Sequence, residues 1–165
     1  MAAKQSAGLL LYKKTPDGYQ VLLGHPGGPF WARRDDGVWS IPKGEFTEGE
    51  EPLKAARREF REEMGSDAPE GPVMELDSAK MSSGKVVYSW ALEADLDTMT
   101  FRSNSFKMEW PPKSGQEQEF PELDRVGWFT IAAARQKLVK GQVPLLERLT
   151  ELLHAPSSGE QTSLL

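Results

Sequence analysis

Between Gly44 and Ser66 the chain reads GEFTEGEEPLKAARREFREEMGS, and three of its glutamates, Glu59, Glu62 and Glu63, fall within five residues. Carboxylates at this density are hard oxygen donors, which suit Mg²⁺ or Mn²⁺ better than softer metals. No thiolate competes with them, because the sequence contains no cysteine, and its two histidines, His25 and His154, cannot form a metal site by themselves. On a helix, at about 100° per residue, the three carboxylates share an arc of about 100°. Like charges three and four positions apart repel by about 0.2–0.5 kcal/mol per pair when exposed, and Arg58 and Arg61 offset this only partly. Such an arc calls for positive charge from elsewhere.

The helix that must carry these groups is legible. Pro52 suits a first turn, Leu53 to Met64 are all helix-compatible, and Gly65 is a natural terminator. Leu53, Ala56, Phe60 and Met64 make an apolar stripe beside the acidic arc, where Ala55 is the small residue. Upstream, residues 6–14 and 19–25 read as paired strands around the turn signal T-P-D-G. HPGGPFWARRDDG (25–37) is too rich in Gly and Pro for a regular element, and VWSI (38–41) reads as a short strand before Pro42. Downstream, residues 73–81 and 85–96 flank S-S-G as a second hairpin, and 124–129 is a late strand. Thr130 is placed to cap a helix over 131–139, and 144–155 reads as a terminal helix. No internal repeat is found. These elements predict an α/β fold in one domain over residues 1–155, a mixed sheet between helices on both faces, and a loose tail at 156–165.

Composition narrows the partners. A formal net charge of -5 disfavours a nucleic-acid polymer, and no apolar run approaches the roughly 20 residues of a membrane span. Without cysteine or a secretory leader pattern, the expected location is cytoplasmic. The expected partner is a small anionic molecule met by local positive charge, and the chain is expected to be a monomer or homodimer.

Reading outward from the acidic arc, Gly44 is followed by five residues and Glu50, then by seven residues and Arg58-Glu59-Phe60, one residue, Glu62-Glu63, one residue and Gly65. This pattern resembles the box of the Nudix hydrolases, which cleave a nucleoside diphosphate linked to another group X. It departs at Ser66, where the family expects a bulky aliphatic. The resemblance implies a Nudix α/β/α sandwich and Mg²⁺, with Mn²⁺ as a substitute, held by Glu59 and Glu63. It makes Glu62 a further ligand or proton acceptor. It also implies a buried Glu50–Arg58 ion pair, and a Gly44 backbone that turns close to the site.

The box reads only the diphosphate, so X must be read elsewhere. Pro42-Lys43-Gly44 is similar to the box entry of members that act on dinucleoside polyphosphates or diphosphoinositol polyphosphates, and Lys43 would meet an outer phosphate. Trp31, Arg33 and Arg34, next to Phe30, interleave aromatic and basic side chains as a base-stacking lid would. The first-ranked substrate is a dinucleoside polyphosphate such as diadenosine tetraphosphate. An intact or oxidised nucleoside triphosphate comes next, then a diphosphoinositol polyphosphate, then a non-catalytic nucleotide sensor. Family members often place an extra Glu in the loop before the late strand, in several cases six residues ahead of a Trp. Glu122 has that spacing to Trp128, and Glu119 and Glu117 stand farther ahead. The catalytic base is thus left among Glu62, Glu122 and Glu119.

Overall fold

The computed structural model of the chain describes residues 4–154. The two runs flanking T-P-D-G form β1 (Gln5–Thr15) and β2 (Gly18–Pro26), antiparallel with Tyr12 opposite Val21 and Thr15 opposite Gly18. Thr15 Oγ1 donates to the Gly18 carbonyl at 2.7 Å and closes the turn, where Gly18 takes a φ of 115° that few side chains tolerate. Next come β3 (Lys43–Glu45), the acidic helix α1 (Pro52–Met64), and the hairpin β4 (Val73–Lys80) and β5 (Val86–Glu93). A further hairpin, β6 (Ser105–Glu109) and β7 (Glu117–Pro121), precedes β8 (Leu123–Thr130), α2 (Ile131–Lys137) and α3 (Val143–His154).

The main sheet runs β4-β5-β1-β2-β8, with β3 also paired to β1. β1 and β5 are parallel and the other pairs antiparallel, so the sheet is mixed. Alternation along β1 feeds both faces. Ala7, Leu9 and Leu11 pack with Ala55, Ala56, Phe60 and Met64 of α1, while Leu10 and Tyr12 join Ala134, Leu145, Leu146 and Leu149 of α2 and α3. The expected sandwich, a mixed sheet between helices, is the observed one.

Three expectations change. VWSI is not a strand: Trp39 and Ser40 make only isolated bridges, to Leu138 and Gly24, because this segment crosses from one neighbour to another before Pro42. The regular pairing begins one step later, in β3. The stretch before β8 is not a plain loop but contains β6 and β7, so Glu117 and Glu119 lie in a strand. The helix after Thr130 stops at Lys137, where Leu138 turns extended (φ -65°, ψ 145°) so that its neighbours can bond to Trp39. The tail expected at 156–165 lies outside the described residues.

Candidate active site

α1 is fixed at both ends. Glu51 caps its start by accepting from the Leu53 and Lys54 amides at 3.1 Å each. Gly65 ends it in the left-handed region, φ 81°, its N–H donating to the Arg61 carbonyl at 2.8 Å. The chain then returns to close the exit: Arg102 N donates to the Met64 carbonyl at 3.0 Å and Asn104 N to that of Glu62 at 2.9 Å. Ala68 is buried in the same core cluster as Met64.

This closure carries Glu122 to the helix. The Glu122 amide donates to the Asn104 carbonyl at 2.7 Å, and the Glu122 carbonyl accepts from Gly27 N at 2.9 Å. Glu122 is thus pinned by backbone on both sides. It joins Lys43, Gly44, Glu45, Glu59, Glu62, Glu63 and Asn104 around one cleft of about 240 Å³. Glu119 does not line that cleft; its carboxylate accepts from Ser105 Oγ at 2.7 Å across the β6–β7 hairpin. Trp31, Arg33 and Arg34 stand outside it too. Trp31 is 40% exposed with the Arg34 guanidinium 5.5 Å from its ring centroid, and Phe30 meets Trp110 edge to face at 5.3 Å.

Within the cleft, Gly44 has a spatial reason, since a Cβ there would overlap the Glu59 carboxylate. Glu63 accepts the Lys43 amide at 3.0 Å. Burial, assisted by the charges of Glu59 and Glu122, pushes the Glu63 carboxyl up to about 8, although the Lys43 amide and ammonium act against it. Burial also raises Glu59, against the pull of Arg58. Glu50 and Arg58 form a two-pronged pair, Nε to Oε2 at 2.7 Å and Nη2 to Oε1 at 2.9 Å. Their side chains are 29% and 39% exposed, so the expected burial of this pair is not observed. Arg58 Nη1 also reaches Glu59 Oε1 at 2.8 Å and both oxygens of Glu62 at 3.3 Å.

The donor set fits a hard divalent cation: oxygen only and crowded, with burial raising both Glu59 and Glu63. Among the described residues no three acidic or imidazole groups converge into a ready cage, because Arg58 draws Glu59 and Glu62 toward itself.

The sequence reading passed over two features of the site. Asn104, which lines the cleft, had no motif to mark it. The other is His25, fully buried, with Nδ1 2.8 Å from Asp124 Oδ1 and Nε2 2.6 Å from the Arg34 carbonyl oxygen. It ties the 26–37 loop to β8 beside Glu122. The only available signal was a histidine ending an apolar strand.

Comparison with family models gives a match to the NUDIX domain over residues 4–149. The chain belongs to the Nudix family. Its fold is similar to that of a C. elegans Ap4A hydrolase in a binary complex, at 20% identity and a TM-score of 0.62, covering 92% of this chain and 98% of that one. The NUDIX domain of Shewanella oneidensis NrtR complexed with ADP ribose shares 17% identity, with a TM-score of 0.62 and coverage of 93% and 90%. A mutT/nudix family protein from Listeria innocua shares 14%, with a TM-score of 0.61 and full coverage of both chains. Comparison with curated protein sequences finds no match.

Proposed function

We propose that the chain is a Mg²⁺-dependent hydrolase, with Mn²⁺ able to substitute, of the phosphoanhydride bond in a nucleoside diphosphate linked to X, with a dinucleoside polyphosphate such as diadenosine tetraphosphate as substrate. The observation that carries this reading is the meeting of Glu59, Glu63 and Glu122 with Lys43 in one cleft. Glu59 and Glu63 would hold the cation, with Glu62 as a further ligand. A bound divalent ion supplies charge neutralisation for the phosphoryl oxygens and orientation of the attacking water. Glu122, exposed yet anchored through its backbone, accepts the proton of that water. Lys43 places its ammonium against a phosphate outside the scissile bond, as a point charge that tolerates several phosphate poses. Arg58, gripped by Glu50, sets the resting position of Glu59 and Glu62.

The test is phosphate or nucleotide release from a panel of dinucleoside polyphosphates, nucleoside triphosphates and nucleoside diphosphate sugars. Turnover should require Mg²⁺ or Mn²⁺ and should stop in excess chelator. Full activity with chelator would defeat the cation assignment. Tight nucleotide binding without any turnover would make the chain a sensor instead.

A further inference from the structure

Lys43 is shared between two compartments. One is the carboxylate cleft; the other, of about 600 Å³, lies on the far side of Lys43 and is lined by Ser40, Met81, Ser82, Ser83, Lys85 and Lys140 together with residues 139 and 141–142. Its walls are prebuilt. The tip of the β4–β5 hairpin is a tight turn, with Met81 N donating to the Lys85 carbonyl at 2.7 Å and Gly84 N to the Met81 carbonyl at 2.9 Å. Met81 then lies against Gly141, where an added Cβ would come within 2.9 Å of the Met81 sulfur. Opposite, buried Gln142 spends its amide on Ser40 Oγ at 2.9 Å and on Ile41 N at 3.0 Å.

The chemistry of this lining is one-sided. Three lysines from three separate segments, Lys43, Lys85 and Lys140, line it beside an apolar wall, and none of its lining residues is a carboxylate or an aromatic. Among the described residues, neither Lys43 nor Lys140 has an ion-pair partner, and Lys85 pairs with Glu45, which lines the carboxylate cleft, at 3.5 Å. An anion placed between Lys43 and Lys85 would meet positive charge from both. A nucleobase would find no ring to stack on, and the side-chain amide of Gln142 is already satisfied.

We propose that this compartment receives a phosphorylated portion of X, so that the preferred substrate is an organic polyphosphate charged well beyond the diphosphate at the carboxylates, with Lys85 and Lys140 as specificity-determining residues. This rests on the hydrolase reading for the position of the scissile bond, but the anion site itself does not depend on turnover. On an acidic chain, three lysines around one cavity form a local sink for negative charge.

Two measurements on the full chain separate the claims. In the first, calorimetry without divalent metal follows inorganic tripolyphosphate binding to wild type, Lys85→Ala, Lys140→Ala, Lys140→Arg and the distant exposed Lys14→Ala, after thermal melts show that each is folded. Each cavity alanine should weaken binding about tenfold, as expected for a lost charge-assisted bond, while Lys140→Arg and Lys14→Ala stay near wild type. Equal binding by all variants would overturn the anion site. In the second, KM and kcat are taken with Mg²⁺ for diadenosine tetraphosphate and for ADP-ribose. Lys85→Ala and Lys140→Ala should raise KM about tenfold for the first and little for the second, with kcat for both nearly unchanged. Equal KM effects on the two substrates would remove these lysines from specificity. If no substrate turns over but the tripolyphosphate losses persist, the hydrolase reading fails and the anion site stands.

Discussion

Glu63 is a largely buried carboxylate of the cleft, and its titration has a definite sign. Burial raises its carboxyl from 4.5 to about 8 in the metal-free fold, while the unfolded chain keeps the ordinary value. Between those two pH values the folded state holds a proton that the unfolded state has lost, so this group's stabilising contribution is fully present below about 4.5 and disappears as pH rises through 8. Glu63→Gln removes the titration. Melts in chelator from pH 5 to 9 should show the wild type losing more Tm than the variant as pH rises. A parallel decline would show that Glu63 is not the group responsible. The same substitution should lower kcat by at least tenfold, because the carboxylate proposed to hold the cation becomes a neutral amide. At Glu122 the expected cost is different in kind. Glu122→Gln should lose about a hundredfold in kcat, within the usual range for acid–base groups, with metal affinity retained. Glu119→Gln, turned toward Ser105 on β7, should stay near wild type. A reversal of these two results would move the base onto the hairpin.

At the scale of elements, the site depends on how the chain returns to α1 after β5. The segment around Asn104 and the Pro121–Glu122 link are held by main-chain bonds, and Gly27 lies so close to Pro121 that a Cβ there would run into its carbonyl. Gly27→Ala should therefore lift the start of the 26–37 loop away from Glu122. We expect a loss of about 1–3 kcal/mol, typical of overpacking, and a fall in kcat larger than any rise in KM. Gly49→Ala, with open space around it, should match wild type in melts and kinetics alike. The helix and the first hairpin were legible because their signals are local: the stripe of Ala56, Phe60 and Met64, the Gly65 stop and the T-P-D-G turn. The β6–β7 hairpin was not. Its strands, SFKME and EQEFP, are mostly exposed and polar, and only Phe106, Met108 and Phe120 mark an inner face, the two rings tilted across the pair with centroids 6.1 Å apart. VWSI misled for the opposite reason: Trp39 is buried against Phe129 and His25, so its β-like composition reflects tertiary packing rather than strand pairing. Nor could spacing have shown that Lys43, Lys85 and Lys140 face one cavity, since that depends on where the β4–β5 turn rests.

For the whole molecule, β1 is the shared member. It pairs with β5 from Gln5 to Tyr12 on one edge, and on the other with β3 near Ser6–Gly8 and then with β2 from Tyr12 to Thr15. Its side chains enter both cores. At the change of partner, Leu9 N is held by the Pro42 carbonyl at 3.2 Å, and a Cβ on Gly8 would come within 2.7 Å of both that oxygen and the Lys43 Cβ. The two compartments around Lys43 thus open beside a strand that cannot loosen unless the sheet comes apart. Native-state amide exchange should show this as a gradient of protection. Leu9, Leu10 and Leu11 should exchange only through global opening, with a free energy that follows denaturant stability, while the amides of β6 and β7 exchange through a smaller local opening. If β1 instead exchanged as freely as the hairpin, the strand would not be the molecule's common support. The β6–β7 hairpin, which adjoins Glu122, is then free to breathe many times in the lifetime of one folded molecule, while the lysine that divides the two compartments keeps its place.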